Sequence, residues 1–280
     1  MIWFPLALIS AISWATADYF TKKWYSFLTP LEMAFWRHFW CLPFLWPFFL
    51  LAPLPSSELE FWKGILKLLP FELLATFLYA ASIRASPLSL SLPFLSFTPL
   101  FMTITGALIL GEKPSEWGLG GIGLVALGGY ILGWEGSFLS SFKVIGKERG
   151  AYLMILVAGL YAWTSVMGKK VLLISHPFFF GPIYVSLLVF FLGIPLFIRP
   201  VKVPPIKKGV LIGMLMALMF VCHWTSILKV QASYMIAVKR TSPLFGVLYG
   251  GLFLKEEGFK RRLFATSLMV LGVVMITSLG

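Results

Sequence analysis

Lys239 and Arg240 are adjacent cations inside an apolar run from Ala232 to Leu254, and the acids Glu72 and Asp18 lie inside runs of the same kind. A charge at the centre of a membrane helix costs about 2.5–3.5 kcal/mol on insertion scales, so such residues are kept for a partner or a task. The task open to a buried lysine–arginine pair is to hold a carboxylate or a phosphate. The structural alternative is a pair that neutralises Glu72 or Asp18, with the long side chains reaching towards an interface. Successive helical residues diverge by about 100°, so one of the two cations is expected to face a cavity while the other skirts a helix contact. Pro243, three residues after Arg240, removes a backbone hydrogen bond and can free main-chain groups for a ligand.

The other polar residues in apolar runs divide between chemistry and packing. Glu72, with Tyr79 two turns on along the same face, reads either as a proton-coupling carboxylate or as a static salt bridge to Arg240 or Lys239. Asp18 stands one turn before Lys22; an interfacial ion pair is expected there, with coupling as the alternative. His223 suits a hydrogen-bonding site that titrates near neutrality, or a packed polar contact beside Trp224. Trp14 and Tyr161 are candidates for the aromatic walls of a cavity, against plain interhelical packing. Arg37 and His38 fall early in their run and read as interfacial anchors. Glu112 and Glu256 read as helix-end structure. Gly129 and Gly133 form a small-xxx-small pair that suits packing within the fold rather than a dimer seam. Cys41 and Cys222 have no metal-ligand spacing and read as small buried hydrophobes.

These residues must be positioned by helices in lipid. The chain is 59% hydrophobic and 12% charged, with a mean hydropathy of +0.90, whereas soluble domains carry about 25% charged residues. The apolar runs are continuous rather than alternating, which selects helices over a barrel. The spans are expected at Trp3 to Phe20, Leu31 to Leu51, Ile65 to Ile83, Leu88 to Leu110 and Trp117 to Trp134, then Ala151 to Met167, Phe178 to Ile198, Val210 to Leu228, Ala232 to Leu254 and Leu263 to Leu279. The expected architecture is an all-α membrane protein of ten transmembrane helices, with a first repeat over 1–134, a connecting loop over 135–149 and a second repeat over 150–280. The first run starts without a basic n-region and no small-residue cleavage pattern follows it, so a cleaved signal peptide is not expected.

The halves match residue by residue. Ala11, Trp14, Ala15, Lys22 and Lys23 precede Ala158, Tyr161, Ala162, Lys169 and Lys170 by 147 positions. Tyr79 precedes His223 by 144 positions, as Thr98-Pro99-Leu100-Phe101 precedes Ser242-Pro243-Leu244-Phe245. Five helices per half means that the second half enters the membrane inverted, an architecture that sets a binding site at the midplane between the halves. The +12 charge sits mostly in short loops, which is how topology is set, so nucleic acid is not an expected partner. With the N-terminus on one face, that face holds Lys63, Lys67, Lys113, Lys169, Lys170 and Lys229, and the opposite face holds 14 basic residues. The charge rule then puts both termini outside a cytoplasmic membrane.

The stretch Ser96-Phe-Thr-Pro-Leu-Phe through Leu110-Gly-Glu112 with the glycine-rich helix after it, and its counterpart Ser233-Tyr-Met-Ile-Ala-Val-Lys-Arg-Thr-Ser-Pro-Leu-Phe through Lys255-Glu256, resemble the drug/metabolite transporter superfamily, EamA type. The resemblance covers essentially the whole chain. It implies a basket of helices around a central cavity lined mainly by helices 1, 3, 4, 6, 8 and 9, and transport of amino acids, other metabolites or drugs without ATP. Many ten-helix members keep both termini in the cytoplasm, whereas the charge count here places them outside. The expected function is secondary transport of a small, anionic or zwitterionic solute by a monomer in the bilayer, by alternating access and with no cofactor, metal or catalytic residue. The alternatives are a membrane-embedded enzyme acting on lipid and a passive channel. Against the enzyme, there is no His-Glu-x-x-His, no Gly-x-Ser-x-Gly and no Asp-rich motif, and His38, His176 and His223 lie far apart. No Walker motif is present.

Overall fold

The apolar runs fold as helices, and there is no strand among the described residues. The computed structural model describes residues 2–50, 52–86, 88–132, 149–198, 200–242 and 259–279. Helix α1 (Trp3–Tyr25) continues past the expected end through Lys22 and Lys23. The second run breaks in two, α2 (Pro30–Phe39) and α3 (Leu42–Phe49), at Trp40 and Cys41. Thr29 and Glu32 cap α2 reciprocally, each side chain bonding the other's backbone N–H, which ties the turn between α1 and α2. Helix α4 (Glu58–Ala85) starts earlier than its apolar run because the Ser57 hydroxyl accepts from Glu60 N, so the cap rather than hydropathy sets the first turn.

The fourth run is a short helix α5 (Leu88–Ser91), a 3-10 stretch (Leu92–Phe97) and α6 (Thr98–Leu110). Helix α7 (Glu116–Leu132) follows. The second half gives α8 (Arg149–Leu172), α9 (Pro177–Gly193), α10 (Ile206–Ile227), α11 (Ala232–Lys239) and α12 (Phe259–Ser278). Pro243, Gly133, Glu256 and most of the connecting loop lie outside the described residues. Five described stretches are long and apolar enough to cross a membrane: Glu58–Ala85, Leu92–Leu110, Arg149–Leu172, Pro177–Leu196 and Ile206–Ile227. Leu66, Ile104 and Leu108 turn outward and are more than half exposed, which suits hydrocarbon as the surrounding solvent.

Packing runs across the halves. Helix α1 lies along α10, α4 lies along α8, and α7 lies along α12. The first two contacts are repeat counterparts of each other, and the space between them holds the polar residues. Gly129 packs inside the fold, since a Cβ there would stand 1.9 Å from Ser96 Oγ. Gly213 of α10 lies against the break in the second run: a Cβ there would stand 2.1 Å from the Trp40 carbonyl oxygen. Gly213→Ala is therefore expected to destabilise the protein by about 1–3 kcal/mol, the usual cost of overpacking. A lower apparent Tm in detergent is the readout, and an unchanged Tm would mean that the α2–α10 contact is loose.

Candidate functional site

The last turn of α11 carries the site's two cations. Arg240 N still donates to Ile236 O and its φ is −74°, so the chain leaves helical geometry only beyond Arg240, at ψ 3°. Both side chains nevertheless line one cavity of about 70 Å³. That corrects the expectation that one would skirt a helix contact. Each cation rests on one aromatic ring, and the rings are repeat counterparts. Lys239 Nζ stands 4.3 Å from the centroid of Trp14 and the Arg240 guanidinium stands 5.6 Å from that of Tyr161. Trp14 and Tyr161 pack edge to face at 6.2 Å, forming one aromatic floor.

The cavity lies in the half of the bundle where α8 and α10 end and α4, α9 and α11 begin. Glu72 lines it from α4 and His223 from α10. Lys239 Nζ lies 3.3 Å from His223 Nδ1 and 3.2 Å from Met219 Sδ. No carboxylate lies within ion-pair distance of Lys239 or Arg240 among the described residues, and Arg240 Nε is buried without a hydrogen-bond partner. Glu72 forms no salt bridge to either. The hydroxyl residues Thr164 of α8 and Tyr184 of α9 line the cavity beside it. The structural alternative for the cations, neutralisation by Glu72 or Asp18, is thus not what the contacts show.

Asp18 corrects a second expectation. It is fully buried, and its partner is not Lys22 but Arg37, whose Nη2 donates to Asp18 Oδ1 at 2.8 Å. Arg37 and His38 are buried rather than interfacial, because α2 enters the bundle at Pro30 and carries them two turns inward. Tyr79 Oη donates to Asp18 Oδ2 at 2.5 Å and accepts from Trp14 Nε1 at 2.6 Å. The chain Trp14–Tyr79–Asp18–Arg37 therefore runs from the cavity floor into the opposite half. Tyr79 faces away from the main cavity, where it helps to line a second one of about 10 Å³ with Arg37.

Lys22 instead donates to the carbonyl oxygens of Ile83 at 2.5 Å and Ser86 at 3.1 Å, closing the end of α1 onto the end of α4. Its repeat counterpart Lys169 donates to Val230 O at 2.6 Å and pairs with Glu112. Glu112 Oε2 also accepts from Ala232 N, at the start of α11. Glu112 is thus helix-end structure, and it fastens the first half to the second. Arg37 is the functional candidate that sequence reasoning missed. Its early position in the run pointed to an interface, and the one available signal was its place in the same apolar run as Cys41.

No cluster of metal-ligating residues occurs among the described residues. A search of curated proteins finds no match. A solved structure described only as "Crystal structure of protein" superposes with a TM-score of 0.75 at 13% identity, covering 100% of this chain and 98% of the other; at that identity the likeness concerns the fold alone. The EamA-like transporter family model matches residues 1–134 and again residues 148–278. The two matches together cover almost all of a helical bundle whose polar cavity both halves line, and this chain belongs to the EamA-like transporter family.

Proposed function

We propose that the chain is a secondary transporter of small anionic or zwitterionic solutes, with ten spans in two inverted halves that alternate around the Lys239–Arg240 cavity. The observation that carries this reading is two adjacent buried cations on a cavity wall with no carboxylate partner among the described residues. Among the described residues Arg37, Lys239, Arg240 and Lys169 line the two cavities, with the acidic groups Asp18, Glu72 and Glu112 beside them, so basic side chains outnumber acidic ones. A carboxylate or phosphate entering the cavity supplies the missing charge. Glu72, across the same cavity, gives a zwitterion's ammonium group somewhere to sit. The basic loop bias supports both termini outside a cytoplasmic membrane.

The test is thermal stability of the detergent-purified protein with amino acids, keto acids and sugar phosphates. A ligand that binds only the folded state raises apparent stability by mass action, by about 2.7 kcal/mol at a hundredfold excess over Kd. Anionic compounds are expected to stabilise the wild type and to lose that effect with Lys239→Gln or Arg240→Gln. Stabilisation of all three proteins alike, by cations or neutral aromatics, would remove the anion reading.

Glu72 is the proposed coupling group, because it is the cavity carboxylate that no arginine or lysine among the described residues pairs with directly. Glu72→Gln in proteoliposomes is expected to keep solute exchange while losing accumulation driven by a pH gradient. Accumulation that persists in Glu72→Gln would leave Glu72 as a solute contact only.

A further inference from the structure

The second cavity lies across the Trp14–Tyr161 floor from the first, and seven of its nine lining residues have repeat counterparts that line the first, the exceptions being Ala34 and His38. Moved by the repeat offsets, Arg37 becomes Tyr184, Thr76 becomes Phe220, Tyr79 becomes His223 and Ala80 becomes Trp224. Trp14 and Tyr161 exchange with each other, and Met216 maps back onto Glu72. Each of these residues lines the small cavity, and each counterpart lines the large one. Two structural equivalences anchor the offsets. Helices α2 and α9 both begin at a proline, Pro30 and Pro177, and Lys22 bonds Ser86 O as its counterpart Lys169 bonds Val230 O.

Arg37 supplies the chemistry. One guanidinium nitrogen, Nη2, is engaged by Asp18, while Nε and Nη1 are buried without a hydrogen-bond partner among the described residues. Unmade hydrogen bonds on a buried charged group are costly, and a guanidinium with spare donors matches a planar or tetrahedral oxyanion. Lys239 and Arg240 have no basic counterparts, since their positions in the first half are Leu95 and Ser96. The small cavity draws its cation from α2 instead.

We propose that the small cavity is the opposite vestibule of the transport path in its closed form, and that Arg37 is a second anion-binding residue there. The solute's carboxylate or phosphate passes from Lys239 and Arg240 across the Trp14–Tyr161 floor to Arg37. Asp18 offsets part of the Arg37 charge, which keeps the second site weak enough to release its anion. This rests on the reading of the solute as an anion.

The test uses methanethiosulfonate reagents, one bearing a sulfonate and one a trimethylammonium group, on sealed vesicles of both orientations in a Cys41→Ala/Cys222→Ala background. Labelling continues over many turnover times. Ser165→Cys, in the large cavity, is expected to react from one face. Thr76→Cys, which is nearly isosteric, and Ala80→Cys are expected to react from the other face. At those two positions the sulfonate reagent is expected to be about tenfold the faster, relative to each reagent's rate with a free thiol, as a focused positive field would make it. Adding Asp18→Asn with Arg37→Gln should abolish that preference.

Reaction of Thr76→Cys and Ala80→Cys from the same face as Ser165→Cys, or from neither face, overturns the vestibule. A sulfonate preference that survives the double substitution overturns the role of Arg37. The two readings fail separately. Labelling as expected with no anion stabilising the protein keeps the vestibule and removes the solute class. Anion stabilisation without the opposite-face labelling does the reverse.

Discussion

Lys239→Met is expected to make the ligand-free protein more stable while reducing transport of the anion to background. The ammonium of Lys239 is buried beside Arg240, and its contacts among the described residues are a tryptophan ring, a thioether and an imidazole, none of which carries negative charge. A buried charge without a counter-ion is a standing cost, and apolar replacement of buried charges is often neutral or stabilising by about 1–4 kcal/mol. Methionine is unbranched and one atom shorter, so it fills most of the same space beside Trp14 without the charge. The bound anion, by contrast, loses one partner of a desolvated charge pair, worth about 2–5 kcal/mol, or a factor of about 30 to 5,000 in affinity. Apparent Tm in detergent and solute flux in proteoliposomes read the two effects apart. A fall in the Tm of the ligand-free protein would show that Lys239 serves the fold, as a partner of Glu72, and not the solute.

Asp18→Asn is expected to be more damaging alone than together with Arg37→Gln. Asp18 is fully buried and accepts from Arg37, Tyr79 and, through Tyr79, the Trp14 chain. Its neutralisation strands the Arg37 charge in the bundle, and breaking a buried pair in this way costs about 3–5 kcal/mol. Removing both charges deletes the attraction and the desolvation cost together, so the double variant should recover much of the lost stability, a coupling of the order of 2–3 kcal/mol between the two sites. Thermal unfolding of the four members of the cycle measures it. Additive losses would mean that the pair is held apart by water and contributes little. Flux through the double variant need not recover with its stability, because Arg37 is also the proposed receiving site.

The family and the helical class were legible because they rest on quantities that a linear chain carries. Hydropathy requires lipid, continuous runs require helices, and a nearly constant offset between like residues reveals two related halves. The candidate residues Lys239, Arg240, Glu72, Trp14, Tyr161 and His223 were also legible, and they line one cavity. A buried charge or polar ring in an apolar run is anomalous wherever it occurs.

What the linear pattern could not supply was which charge meets which. Asp18 is four residues from Lys22 and nineteen from Arg37, and local spacing favours the near partner. The end of α1 instead carries Lys22 to the carbonyls at the end of α4, and the inward path of α2 delivers Arg37. Helical geometry predicted that only one of Lys239 and Arg240 would face a cavity, and the helices packed around the end of α11 leave a space that both side chains line. The solvent, the element type, the repeat and the inventory of buried charge follow from composition and period along the chain, so the residues alone dictate them. The pairing of those charges, the two-sided placing of the cavities and the exposure of Arg240 and Arg37 to them arise only on folding, because helix ends and crossings depend on contacts between residues far apart in the chain.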